Sequence, residues 1–309
     1  MVNRIHIIFA ALFLCISSVA YSQEVWKSSM SSVAAVNMFH ESSYISALGG
    51  FGNIEPLVFE ANIVPYFTIS TSRNARWVLE LSPKVLLRMY NTESMPVRTP
   101  SYMPKVTFFY HVTEREEGRD WFVYLSWMHH SNGQDGSFFN ADSCTINTFS
   151  GNFATNFLEG GCFISRPNKK RPNIIDYHKI SLSYCYLMNS EIKSLYGRTR
   201  ISYDYNTSIN VSKKSDSKSS LIQSIRVGWI AGKFDDAKAF DSERLSFCYT
   251  ISYKPPFLED IGIFAQYYYG QDYYNLYFNR TLKVLRFGIT AKMSISKYTN
   301  YETSMFNKR

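Results

Sequence analysis

One pattern recurs along most of this chain: about ten residues in which apolar and polar side chains alternate, followed by a polar turn. A period of two is the signature of strands, whose successive side chains point to opposite faces. The alternating segments fall at roughly 43–49, 57–69, 76–90, 104–113, 120–131, 155–165, 177–189, 195–209, 220–232, 243–254, 260–271 and 282–294. That is about twelve, an even number, as a single-chain bacterial barrel requires. After the first two dozen residues no run of 18 or more apolar residues occurs, which excludes a helical membrane protein. Aromatics are abundant, with 23 Tyr, 23 Phe and 5 Trp, and a barrel uses them as girdles at the two membrane interfaces. The expected fold is all-β: an antiparallel transmembrane β-barrel of about 12 strands.

The N-terminus reads as an export signal. Arg4 gives a positive start, Ile7 to Ile16 is an apolar core too short to span a bilayer, and Ala20-Tyr21-Ser22 offers small residues at the two inspected positions. Residues 1–22 are therefore expected to be a signal peptide and 23–309 a single barrel domain. Cys15 lacks the small neighbours of a lipid-modified cysteine. The formal charge of +8 gathers in clusters such as Lys169-Lys170-Arg171 and Lys213-Lys214, which suit solvated loops or anionic head groups. An exported chain without a binding motif has no nucleic acid to meet. The mature cysteines Cys144, Cys162, Cys185 and Cys248 form no CxxC pair, so zinc and thiol-redox chemistry are not indicated. Cys144 and Cys162 flank one loop and are the candidates for a disulfide.

Two neighbouring strands can be phased. In 121–131 one face carries Trp121, Val123, Leu125, Trp127, His129 and Ser131, apolar until its polar end, and this is the lipid face. In 156–164 the uncharged set is Leu158, Gly160, Cys162 and Ile164, with Asn156 in phase at its polar end and Glu159 on the interior set. The first strand enters the loop 132–154 and the second returns from it, so the two are antiparallel neighbours, with Asn156 near His129 and Ser131.

A His and a Ser two residues apart on a strand share a face, about 6.5–7 Å apart at the backbone. Imidazole can then take the hydroxyl proton as the oxygen attacks an ester carbonyl. A third group must orient the ring, and an amide oxygen can serve. Asn156 is placed for this, with Asn147 and Asn152 as alternatives. An amide costs less than a carboxylate beside a lipid face.

Trp127 to Gly133 resembles the active-site segment of the outer membrane phospholipase A family, in which a histidine, any residue, then Ser-Asn-Gly closes a barrel strand. Pro96-Val97-Arg98-Thr99-Pro100-Ser101-Tyr102-Met103-Pro104 is similar to the family's stretch leading into the strand before the catalytic one. Gln266-Tyr267-Tyr268-Tyr269-Gly270 and then Leu276-Tyr277-Phe278-Asn279-Arg280-Thr281 resemble a late family strand and the turn before the last strand. In that turn only Phe278, Asn279 and Thr281 match outright.

The resemblance implies His129 as general base, Ser131 as nucleophile, Asn156 as orienting residue and Gly133 as oxyanion donor. It implies Ca2+ held partly by loop oxygens and partly by the partner of a homodimer, with Gln134 and Ser94 at the matching positions. Ser137 and Ser143 are candidates for the remaining loop ligand. The implied activity is phospholipase hydrolysis of membrane phospholipid in the bacterial outer membrane. The loop after Ser131 is longer than the family's by about a dozen residues. The tail after Ser296 is polar and lacks a terminal aromatic. The rival expectation is a non-enzymatic barrel, a narrow pore or a structural protein.

Overall fold

The computed structural model describes residues 32–71, 75–115, 119–167, 174–211, 219–258 and 261–291. The expected signal peptide and the polar tail lie outside the described residues.

After a short helix α1 (Ser32–Phe39) come thirteen strands: β1 (Ser43–Ala47), β2 (Leu57–Ile63), β3 (Phe67–Ile69), β4 (Trp77–Tyr90), β5 (Ser101–Arg115), β6 (Arg119–Ser131), β7 (Ala154–Pro167), β8 (Ile174–Met188), β9 (Thr199–Asn210), β10 (Ser220–Ala231), β11 (Leu245–Lys254), β12 (Ile261–Gln271) and β13 (Thr281–Ala291). All pairings between these strands are antiparallel. β2 and β3 both pair with β4, Ile63 opposite Val85 and Phe67 opposite Leu81. They are one strand interrupted at Val64-Pro65-Tyr66, where proline has no N–H for the ladder. Twelve strand positions result. β1 pairs with β13 from Ser43↔Ala291 to Ser46↔Gly288 and with β2 on its other edge, and β2 pairs with β4, so the sheet closes into a ring, with the short β3 paired on its β4 side.

The two faces divide as the alternation predicts. Along β6, Val123, Leu125 and Trp127 are exposed, while Phe122, Tyr124, Ser126 and His130 are buried inside. The outward set continues round the barrel through Leu158, Ile180, Leu182, Ile201, Ile263 and Ile289, all exposed. An apolar band of that extent belongs in hydrocarbon, not water. The interior is occupied at both ends, with a cavity of about 140 Å³ lined by residues such as Glu41, Lys179, Asp204 and Arg226. At one end α1 inserts Val36 and Met38 among Phe109, Phe122, Phe163 and Tyr177, and the Tyr177 hydroxyl donates to the Met38 carbonyl at 2.6 Å. At the other end the connection after β12, residues 272–280, folds inward and buries Tyr274, Asn275, Leu276 and Phe278. Between the two lies a buried, charge-balanced group. Arg88 donates to Glu60 at 2.8 Å and holds Asp272 with two bonds of 2.9 Å, and Arg286 meets Glu60 at 3.2 Å.

Two expectations shift. The eighth alternating segment, β9, begins at Thr199 rather than 195, because Tyr196 folds back to Ile192 (N–O 3.0 Å) and buries its ring in the barrel. The suggested disulfide does not form: Cys144 and Cys162 are both free. Cys162 lies eight residues along β7 from Ala154, roughly 26 Å from the loop at a strand's rise, too far for a sulfur bridge.

Candidate active site

The site begins with register. His129 of β6 stands directly opposite Asn156 of β7, and Ser131 opposite Ala154. On its other edge Ser131 stands opposite Tyr102 of β5. His129 and Ser131 are both half-buried on the exterior face, at the rim where the apolar stripe of β6 ends. The His129 ring bonds through Nδ1 to the Asn156 amide oxygen at 3.0 Å. An amide oxygen only accepts, so Nδ1 carries the proton and Nε2 keeps its lone pair. Among the described residues Ser131 Oγ makes no hydrogen bond, to His129 or otherwise. Base-to-nucleophile contacts commonly tighten only when substrate is present.

The loop 132–153 is built around Asn132, which is buried. Its Nδ2 donates to the Gly151 carbonyl at 2.8 Å, and its Oδ1 accepts from Phe153 N at 3.0 Å and Gln134 N at 3.3 Å. One side chain thus ties both ends of the loop to the mouth of the β6–β7 hairpin. Gly133 turns at φ +68°, a conformation that favours glycine. A side chain there would also press on the Tyr102 ring at 3.4 Å. Asn132 N and Gln134 N are both engaged, whereas Gly133 N–H has no acceptor among the described residues. Beneath the loop, Phe138 and Phe153 are buried against Phe278 of the inward connection. Each contributes about 1.5–3 kcal/mol of apolar burial toward holding the loop down.

The alternative asparagines are occupied elsewhere. Asn147 donates to the Ser137 carbonyl at 3.1 Å and to Ser150 Oγ at 3.0 Å, bracing a turn inside the loop. Asn152 donates to the Gly136 carbonyl at 2.8 Å and accepts from Asn189. Neither bonds to His129. Asn132 and Asn189 are structural residues that the sequence reading passed over: Asn132 looks like any Asn-Gly turn, and Asn189 carries no local signal at all.

Gln134 and Ser137 are exposed on the loop, and Ser94 is exposed on the connection between β4 and β5, at the same end of the barrel, with φ +62°. These donors are neutral oxygens, which suit a hard cation in kind. Among the described residues no group of three or more His, Cys, Asp or Glu could hold a metal. Calcium takes six to eight oxygens, so this set would need water and a second molecule to complete it. The one strongly engaged loop carboxylate, Asp142, is held below its ordinary range by hydrogen bonds from the Thr145 hydroxyl and the Cys144 and Thr145 amides.

No family model matches the chain, and no curated protein matches it. Solved structures do. Outer membrane phospholipase A from Escherichia coli superposes with a TM-score of 0.56 at 13% identity, covering 85% of this chain and 98% of that one. This chain has that fold. The calcium-bound dimer of the Salmonella typhi outer membrane phospholipase matches with a TM-score of 0.53 at 13% identity, over 82% of this chain and 91% of that one. An Asn-to-Ala active-site mutant of the E. coli phospholipase matches with a TM-score of 0.54 at 12% identity, over 89% and 95%. At these identities the likeness to outer membrane phospholipase A is one of fold, and it supports an outer-membrane barrel.

Proposed function

We propose that this barrel is a calcium-dependent phospholipase of the bacterial outer membrane, hydrolysing acyl esters of glycerophospholipids on its lipid-facing surface. The observation that carries the reading is the cross-strand hydrogen bond from His129 to Asn156, on the exterior face, with Ser131 two residues further along the same face.

The chemistry follows from that pair. Ser131 Oγ bonds to the acyl carbonyl carbon while its proton passes to His129 Nε2. Asn156 keeps the ring in the tautomer that leaves Nε2 basic. The carbonyl oxygen, now negative, faces the unengaged Gly133 N–H. The ester C–O bond breaks, and His129 returns the proton to the departing glycerol oxygen. A water then repeats the sequence on the acyl-serine and frees the fatty acid. Gln134 and Ser137, with Ser94 from a partner barrel, would hold the calcium, which when bound supplies positive charge beside the developing oxyanion. A set that is incomplete in one chain is consistent with an active homodimer. The dimeric, calcium-bound Salmonella phospholipase and the E. coli asparagine mutant named for its active site support the same reading. The packing of α1 at one end of the lumen and of residues 272–280 at the other argues against a wide pore.

The test is fatty-acid release from phospholipid micelles with calcium, with and without chelator. Wild type is expected to release fatty acid, and Ser131→Ala to release none while migrating as a folded barrel. Equal activity in both proteins would refute the assignment.

A further inference from the structure

Directly beside the His129–Asn156 pair, on its membrane side, the strand ladder has a defect. Asn156 stands opposite Leu187, but the next residue, Phe157, stands opposite Cys185. Tyr186 is therefore an extra residue in β8, a bulge next to Asn156. Bulges re-aim side chains. Here Tyr186 and Leu187 both point outward, at 44% and 58% exposure, while Cys185 is fully buried between them and Tyr184.

The Tyr186 hydroxyl accepts a hydrogen bond of 2.8 Å from Trp127 Nε1. Trp127 is the residue two before His129 on the same face of β6, opposite Leu158 of β7. The bond thus reaches from β6 to β8 across the whole width of β7. It passes over β7 at the level between its outward residues Leu158 and Asn156. An indole N–H facing hydrocarbon is costly without an acceptor, so the pair holds together more firmly in lipid than it would in water. Tyr186 keeps the outward phase of Ile180, Leu182 and Tyr184; the bulge turns Leu187 outward as well and leaves Tyr186 without a partner on β7, level with the step from Asn156 to Phe157.

We infer that Trp127 and Tyr186 form a positioning clamp, which holds Asn156 against His129 from the lipid side and so keeps the imidazole aimed at Ser131. This rests on the hydrolase reading above. The two aromatics touch neither nucleophile nor carbonyl carbon. Their effect would be exerted on the orientation of the amide. An interfacial girdle role would instead anchor the barrel in the bilayer without acting through Asn156.

The experiment is a double-mutant cycle on the full chain in calcium-containing phospholipid micelles: wild type, Tyr186→Phe, Asn156→Ala and the two combined. Tyr186→Phe removes one oxygen atom and leaves the ring. It is expected to lower kcat by about 5–20-fold with KM within about twofold, as a small misplacement of a catalytic group does. In the Asn156→Ala background it should cost nothing further. An equal cost in both backgrounds, or no cost in either, overturns the clamp. Trp127→Phe should match Tyr186→Phe, and the two together should lose no more than either alone. A second readout needs no turnover: the His129 Nδ1 proton observed by NMR in the folded barrel, assigned with His129→Gln. Loss or broadening of that resonance in both Asn156→Ala and Tyr186→Phe supports the clamp, and its persistence in Tyr186→Phe overturns it. If wild type shows no hydrolysis at all, the phospholipase reading fails, and this resonance alone decides whether the clamp exists.

Discussion

The barrel carries two polar constellations, one on each side of its wall. Inside, Glu60, Arg88, Asp272 and Arg286 are buried together, two positive against two negative, with Tyr44 and Tyr273 hydroxyls adding bonds of 2.8 and 2.7 Å to Glu60. Outside, His129, Ser131 and Asn156 share a single hydrogen bond and remain half open. A carboxylate held by several buried partners, as Glu60 is, has little left to offer a substrate, and removing its partners is felt as instability. An under-bonded group contributes little to folding and keeps a proton acceptor and a hydroxyl available. Stability and chemistry are thus assigned to opposite faces of the same strands.

Substitutions should separate the two faces. The largest effect is expected from His129→Ala, which leaves no base: catalytic rate should fall on the order of 10⁵–10⁶-fold, with unfolding in urea unchanged. The interior counterpart is Arg88→Met, which strips Glu60 and Asp272 of their shared partner. It should destabilise the barrel by about 3–5 kcal/mol, read from urea titration in micelles, with the surviving folded fraction retaining full specific activity. A large loss of specific activity in Arg88→Met would break the division. Asn156→Ala sits lower, at roughly 10²-fold in rate, because a neutral orienting group contributes less than the carboxylate whose loss costs about 10⁴ elsewhere. Asn132→Ala bridges the faces. Losing three hydrogen bonds at the loop mouth should cost about 1–3 kcal/mol in protease resistance of the loop and a smaller drop in rate. The smallest effect concerns the thiols: an alkylating reagent should label exposed Cys144 in the folded barrel and spare buried Cys185, with no mass change on prior reduction.

The wall of the barrel was legible in the sequence because membrane and lumen impose opposite demands on alternate residues. That same phase located His129, Ser131 and Asn156 on one face, and antiparallel return through a hairpin brought Asn156 to the right level. What lay off the strands was not legible. Nothing local to Val33-Ala34-Ala35-Val36 announces a helix lodged inside a barrel, and its partners Phe109 and Tyr177 are distant in sequence. The inward fold of 272–280 was visible only as a resemblance. Its physical role, with Asn275 Nδ2 bonding the Thr99 carbonyl at 2.5 Å and Ser101 Oγ at 3.0 Å, depends on residues about 175 positions away. The bulge at Tyr186 was also invisible, since one extra residue leaves no mark in composition.

The closing seam between β1 and β13 has a consequence for the order in which this molecule comes into being. The His129–Asn156 register belongs to a hairpin of adjacent strands and depends only on local pairing. The Arg88–Asp272 contact joins residues 184 apart and can form only once the last strands have arrived. A chain caught part-way through insertion would therefore hold its β6–β7 hairpin, with the His129–Asn156 pair, before it had a sealed wall. On the proposed function, a cation site completed only by a second barrel would keep that early intermediate from digesting the membrane it is entering.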